Sequence, residues 1–167
     1  VEVLEKHGEH QGLNLTTAVR DGIVGHTGAT IPVTLEGQII RIVDRIAYLC
    51  HDFDDAQRAG MLTAEELPFE VREHFGMTPS SMITAMVEDM VRESLDKPVI
   101  SMSSDIEMTM NLFRQFMFKN VYLAPALIPD RNKASHVVKN LFTHFMEHPD
   151  DMEGCESNRE FYSTRDV

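Results

Sequence analysis

The stretch TLEGQIIRIVDRIAYLCHDFDDAQRAG, residues 34–60, contains the strongest helical pattern in the sequence. On a helical wheel with about 100° per residue, its apolar side chains fall within one sector. These side chains are Ile39, Ile42, Val43, Ile46, Leu49, Cys50 and Phe53. Gly60 is a typical stop signal. The pattern predicts a long amphipathic helix from Thr34 to about Arg58, with one stripe facing a core.

The opposite face of this helix carries Asp44, Tyr48 and Asp52 at positions i, i+4 and i+8. Residues at this spacing drift by only about 40° per step, so they form one row, which we call the Asp44 ridge. Arg41 and Arg45 flank it. A carboxylate can hold a divalent cation, a tyrosine ring can pack on a sugar, and a second carboxylate can accept hydrogen bonds from ligand hydroxyls. An adjacent arginine can contact phosphate.

A simpler interpretation of the ridge is a solvated face, on which Arg41, Asp44 and Arg45 exchange weak surface ion pairs. Spacing alone favours this interpretation, because every amphipathic helix has a polar side. Adjacent His51 and Asp52 diverge by about 100° on a helix, so we do not predict that they form a metal-binding pair.

Three other histidines have structural explanations. His144 and His148 stand at a spacing that can chelate zinc, but no third ligand is evident and a helix-end dipole contact is favoured. His26 is explained in the same way by the end of a helix.

Helical patterning continues through most of the chain, without a convincing strand pair or repeat. Further helices are predicted in LTTAVRDGIVGH, TAEELPFEVREHFG (broken or kinked at Pro68), PSSMITAMVEDMVRESL, SSDIEMTMNLFRQFMFKNVYL and NKASHVVKNLFTHFMEH. The methionine stripe of Met82, Met86 and Met90 is typical of a core. The first residues resemble the last turns of a helix ending at Gly8. The predicted fold class is all-α, a multi-helix array.

Composition argues against several classes of protein. The formal net charge of -12 argues against nucleic-acid binding, although local arginines can still bind a small anion. Cys50 and Cys155 form no CxxC motif, so a reducing cytoplasm is expected. No apolar run approaches the roughly 18 residues of a membrane helix, and the first residues do not resemble a signal peptide. We therefore expect a cytoplasmic protein without a membrane partner.

Four stretches resemble, in this order, the deoxynucleoside triphosphate triphosphohydrolases (dGTPase-like proteins) of the HD-domain superfamily. They are residues 12–28, 34–62, 112–122 and 133–150. The pattern LEGQ…DRIAY..HD.DDA.RAG in the second stretch is the most specific. The resemblance implies an HD-domain-like all-α fold and metal-dependent cleavage of a deoxynucleoside triphosphate to deoxynucleoside and tripolyphosphate. It also implies a homo-oligomer, by analogy alone.

The family holds a divalent metal ion with a His, a later His-Asp pair and a distant Asp, and the resemblance makes Asp44 that distant Asp. It places Tyr48 against the deoxyribose, Asp52 on the sugar 3′-hydroxyl and Arg45 within reach of phosphate. Mg, Mn, Zn, Ni and Fe are not distinguished, and neither is the base preference. Weaker candidates for triphosphate contacts are Lys119, Tyr122 and Lys133.

The family's other metal ligands and its catalytic His would lie upstream of Val1, so we expect no catalytic residue within this segment. We interpret residues 1–150 as the C-terminal portion of a helical HD-type hydrolase domain, and residues 151–167 as a polar tail leading to a further helix. Activity would then require the upstream part of the same protein. The alternative is a non-catalytic helical module that binds nucleotides or assembles subunits. An upstream His followed by a His-Asp pair would favour the enzyme.

Overall fold

The computed structural model describes residues 6–7 and 10–151, and it describes side chains from residue 12 onward. Six α-helices lie in this part of the chain: α1 (Thr17–Gly25), α2 (Leu35–Arg58), α3 (Phe69–Phe75), α4 (Pro79–Ser94), α5 (Ser104–Met117) and α6 (Ile128–Glu147). Shorter elements are the 3-10 helices Ala64–Glu66, Pro125–Leu127 and Pro149–Asp151 and the π-helix Phe118–Tyr122. The all-α prediction is confirmed.

Four of the six described α-helices, α1, α2, α4 and α5, begin at a side chain that accepts a hydrogen bond from an otherwise unpaired backbone N–H group. Thr16 caps α1, Thr34 caps α2 and Ser103 caps α5, each by accepting from the backbone N–H three residues later. Pro68 precedes α3 and separates it from the 3-10 helix Ala64–Glu66, as expected of a residue that cannot continue a helix.

The prediction of a helix ending at Gly8 is wrong where the structure describes that segment. Lys6–His7 (β1) pairs antiparallel with His10–Gln11 (β2), and Lys6 lies opposite Gln11. The antiparallel pairing requires the chain to reverse its direction, which a continuous helix does not allow, and a two-residue connection is enough to join such strands. Gly8 itself lies outside the described residues, as do residues 1–5.

The chain divides into two units. The unit Thr16–Ala124 contains α1 to α5 and the hydrophobic core, in which α2 packs against α1, α4 and α5. Phe53 of α2 and Phe113 of α5 meet edge to face at the centre, with ring centroids 5.7 Å apart, and both are fully buried. The other unit includes β1, β2 and α6, which has no buried side chain. The predicted boundary at residue 150 stays a prediction, and residues 152–167 lie outside the described part.

The predicted core stripe of α2 is present. Ile46, Leu49, Cys50 and Phe53 are buried, and Ile42 packs at the edge of the core with Val43 half-buried. Ile39 alone departs from the prediction, with 37% of its surface exposed. The methionine stripe also belongs to the core, because Met82, Met86 and Met90 are all buried.

None of the helices within residues 10–151 combines the length and apolar character that crossing a membrane requires.

Candidate functional site

The Asp44 ridge runs along the outward face of α2, whose opposite face is packed into the core. Asp44 is exposed, while Tyr48 and Asp52 are half-buried. The Tyr48 ring packs against the edge of the core, which leaves it fewer positions than an exposed tyrosine has. A helix anchored at Phe53 and Leu49 thus presents the three ridge side chains on one rigid support.

Asp44 forms no hydrogen bond or ion pair with any residue that the structure describes. The ion pairs of the simpler interpretation, between Asp44 and Arg41 or Arg45, are therefore not formed, although the exposure of Asp44 is also that of a solvated face. An exposed carboxylate with both oxygens available can accept a metal ion or a ligand donor.

Arg41 is occupied by the loop between α1 and α2. Its guanidinium donates to the backbone carbonyls of Gly25, Gly28 and Thr30, at 2.7, 2.5 and 3.1 Å. These bonds, to the last residue of α1 and to two loop residues, use three of the five N–H donors of the guanidinium. Arg41 thus has a structural role in holding this loop.

Arg45, one turn further along α2, faces a cavity of about 250 Å³. The cavity is also lined by one acidic residue, Glu107, by Arg41 and Gln38, and by apolar side chains that include Ile42, Ile100 and Met110. Arg45 is half-buried, and no described residue pairs with its guanidinium. A half-buried cation that lacks a partner among the described residues is suited to bind an anionic group. Arg45, rather than Arg41, is therefore the arginine available to a phosphate.

Asp52 is held by a residue from a distant part of the chain. The hydroxyl of Tyr122, in the π-helix Phe118–Tyr122, donates to Asp52 Oδ2 over 2.5 Å. Burial raises the pKa of Tyr122 above its usual range, and the bond to Asp52 and the negative charge of Asp52 raise this pKa further. The phenol consequently stays protonated and remains a hydrogen-bond donor at neutral pH.

The remaining acidic residues of the same face have ordinary surface roles. Arg58 lies 2.5 Å from Asp54 and 3.8 Å from Asp55, in exposed ion pairs of the kind that helices form at this spacing. His51 is exposed and lies beside the ridge, since it follows Asp44 by seven residues, but its side chain diverges by about 100° from that of its neighbour Asp52. The structure therefore separates Asp44 and Asp52 from their acidic neighbours.

Within the described residues, no group of three His, Cys, Asp or Glu side chains is arranged to hold a metal ion. His144 and His148 stack with ring centroids 4.8 Å apart, and His144 Nε2 lies 2.9 Å from Asp151 Oδ2. His26 Nδ1 lies 2.6 Å from the carbonyl of Ile23, which agrees with its helix-end explanation. A metal site that included Asp44 would therefore need ligands from outside the described residues.

Of the weaker candidates, the structure brings only Tyr122 to the ridge, and it contacts Asp52 rather than an open surface. Lys119 is exposed on the π-helix, and Lys133 is exposed on α6. Sequence reasoning identified Tyr122 as a candidate but not its pairing with Asp52, which spans 70 positions and has no local signature.

The chain is similar to one family model and to several curated proteins that share a name. Residues 100–160 match the family model described as a phosphohydrolase-associated domain. The chain is 42% identical over 152 residues to a deoxyguanosinetriphosphate triphosphohydrolase-like protein of Caldanaerobacter subterraneus subsp. tengcongensis, an alignment that covers 91% of this chain and 44% of that protein. Proteins of the same name in Clostridium perfringens and Desulfatibacillum aliphaticivorans are 37% and 34% identical, over 85% and 98% of this chain and 44% and 50% of theirs. The chain thus spans about half the length of the curated relatives it matches.

Proposed function

Because this chain belongs to the family of deoxyguanosinetriphosphate triphosphohydrolase-like proteins, we propose that it is part of a longer, metal-dependent hydrolase. The proposed reaction cleaves a deoxynucleoside triphosphate to deoxynucleoside and tripolyphosphate. One observation carries the proposal beyond family membership. Asp44 and Arg45 are consecutive residues of α2 that have no hydrogen-bond or ion-pair partner among the described residues, whereas the neighbouring Arg41, Asp54 and Arg58 are all engaged.

Different residues of the ridge and its flank are proposed to contact different parts of the ligand. The Tyr48 ring, packed against the core edge, offers a flat surface for the deoxyribose. Asp52 accepts a hydrogen bond from the sugar 3′-hydroxyl, and Arg45 contacts a phosphate from the wall of its cavity. Holding sugar and phosphate at fixed points of one helix orients the scissile bond, which lowers the entropic part of the barrier.

Asp44 suits one position in the coordination sphere of a divalent cation, since it is an exposed carboxylate with no competing cationic partner in the described part of the chain. A divalent ion at such a site supplies Lewis-acid polarisation of a phosphate oxygen or activation of a water molecule. The remaining ligands are proposed to come from the preceding part of the longer protein.

The experiment that tests this assignment uses the longer protein and compares Asp44→Asn with Asp54→Asn. Both changes remove one carboxylate charge from α2, but Asp54 is engaged by Arg58 and lies outside the ridge. We expect Asp44→Asn to lose bound metal and to reduce hydrolysis by more than the roughly 100-fold that loss of an outer-shell partner can cost. Asp54→Asn retains both properties.

The measurements are metal content per chain by mass spectrometry and release of tripolyphosphate. Unchanged metal content and unchanged hydrolysis in Asp44→Asn would refute the assignment. A wild-type protein that binds deoxynucleotides without cleaving them would instead indicate the non-catalytic module.

A further inference from the structure

The contact between Tyr122 and Asp52 depends on an irregularity of the backbone. After Met117 the helical hydrogen bonds widen to i→i+5, and Leu123 donates to the carbonyl of Phe118 over 2.9 Å. A widened turn accommodates one extra residue, so the side chains that follow it in the segment are rotated by about 100° about the helix axis relative to a continuous α-helix. Such segments are rare and occur frequently at functional sites.

The widened turn is stabilised by its own side chains. Asn120 Nδ2 donates to the carbonyl of Phe116 over 2.9 Å, and the rings of Phe118 and Tyr122 meet edge to face at 5.0 Å. Arg114 in turn lies over the Phe118 ring, 4.9 Å from its centroid. These contacts fix the direction in which the Tyr122 hydroxyl points.

The packing of the core next to Asp52 holds Asp52 and Tyr122 at hydrogen-bonding distance. Phe53 of α2 packs on Phe113 of α5, and both are fully buried. Asp52 immediately precedes Phe53, and Tyr122 follows Phe113 by little more than two turns. Helix α2 therefore makes an apolar contact with α5 in the core and a half-buried polar contact with the π-helix that follows α5.

Building on the proposed function, we propose that Tyr122 is a positioning residue that makes the site selective for a sugar with a free 3′-hydroxyl. Its hydroxyl occupies Asp52 Oδ2 and so fixes the rotation of the carboxylate. No described residue bonds to the other oxygen, Oδ1, which remains available to accept from the ligand. A half-buried carboxylate without this donor would rotate freely, and its hydrogen bond to the sugar would lose directional strength.

The test measures kcat/KM of the longer protein for dGTP and for 2′,3′-dideoxyguanosine triphosphate, which lacks the 3′-hydroxyl. We expect Tyr122→Phe to reduce the preference for dGTP about tenfold, the effect of one weakened hydrogen bond to a charged group. Activity on the dideoxy substrate should change by less than about twofold, because that substrate makes no bond to Asp52. The dideoxy reaction also reports that the variant is folded.

Asp52→Ala provides the partner variant. It should abolish most of the preference by itself, and adding Tyr122→Phe to it should cause no further loss of preference, since the two side chains act as one unit. If Tyr122→Phe lowered kcat/KM equally for dGTP and for the dideoxy substrate, Tyr122 would have a merely structural role and the inference would be overturned. An unchanged preference for dGTP in Tyr122→Phe would overturn it as well. A wild-type protein that cleaves neither substrate would overturn the proposed function and this inference together.

Discussion

The close approach of α1 and α2 makes Gly37 a sensitive position. A Cβ atom added at Gly37 would lie 2.6 Å from Pro32 Cβ, 3.1 Å from Thr34 Oγ1 and 3.3 Å from the Cα of Gly22. Carbon atoms in favourable contact are about 3.5–4.0 Å apart, so the overlap with Pro32 is close to 1 Å. Pro32 is fully buried and its ring fixes its backbone, which leaves it little room to move.

Two opposing effects decide the sign of Gly37→Ala. Alanine in place of a helical glycine is favourable by up to about 1 kcal/mol, and by less in the first turn, where Gly37 lies. Against this, overpacking costs about 1–3 kcal/mol, and displacing the Thr34 hydroxyl weakens a helix cap worth about 1 kcal/mol. We therefore expect the free energy of unfolding to fall by about 2 kcal/mol.

Gly22→Ala is the matched control, since its added Cβ would meet only the Gly37 Cα, at an ordinary 3.7 Å. Because Gly22 lies inside α1, this change should raise the free energy of unfolding by up to about 1 kcal/mol. Urea unfolding of the chain, followed by circular dichroism, measures both variants. If Gly37→Ala stabilises the chain as much as Gly22→Ala does, the described packing of α1 on α2 is incorrect.

Two further predictions concern buried polar groups. Burial raises the pKa of the Cys50 thiol to about 12 from an ordinary value of 9.0, so the unfolded state loses this proton first as pH rises. The contribution of Cys50 to stability is complete below pH 9 and should decline between pH 9 and 12 by up to about 1.4 kcal/mol per pH unit. Between pH 8 and 10, the free energy of unfolding measured in urea should therefore fall less in Cys50→Ala than in the wild-type chain. Equal falls in the two proteins would contradict the burial of the Cys50 thiol. Asp89, 2% exposed, pairs with Arg92 and accepts from the backbone N–H of Ser103 over 2.8 Å, so Asp89→Ala should lower the free energy of unfolding by about 2 kcal/mol. The exposed neighbour Glu88→Ala should change it by less than about 0.5 kcal/mol, and similar urea midpoints for the two variants would argue against a role for the Asp89 contacts.

The long helix α2 could be predicted from sequence because its signals are local. Thr34 and Gly60 mark its ends, and the 3.6-residue period assigns Leu49 and Phe53 to the core. The same period places the ridge on the outward face without knowledge of any other helix.

The partners of the polar residues could not be predicted in this way. Arg41 binds backbone carbonyls that precede it by 11 to 16 positions, and Asp52 pairs with Tyr122 across 70 positions. The latter contact requires the π-helix, for which the sequence carries no capping or periodic signal. The pairing of Lys6 with Gln11 was missed because a segment this short has no period to read.

The central claim is that this chain is part of an enzyme that removes tripolyphosphate intact from a deoxynucleoside triphosphate. The most direct measurement incubates the longer protein with each of the four deoxynucleoside triphosphates and a divalent metal ion, and identifies the products by phosphorus NMR and chromatography. We predict tripolyphosphate and free deoxynucleoside in equal amounts. Monophosphate with pyrophosphate, diphosphate with orthophosphate, or no cleavage at all would contradict the claim.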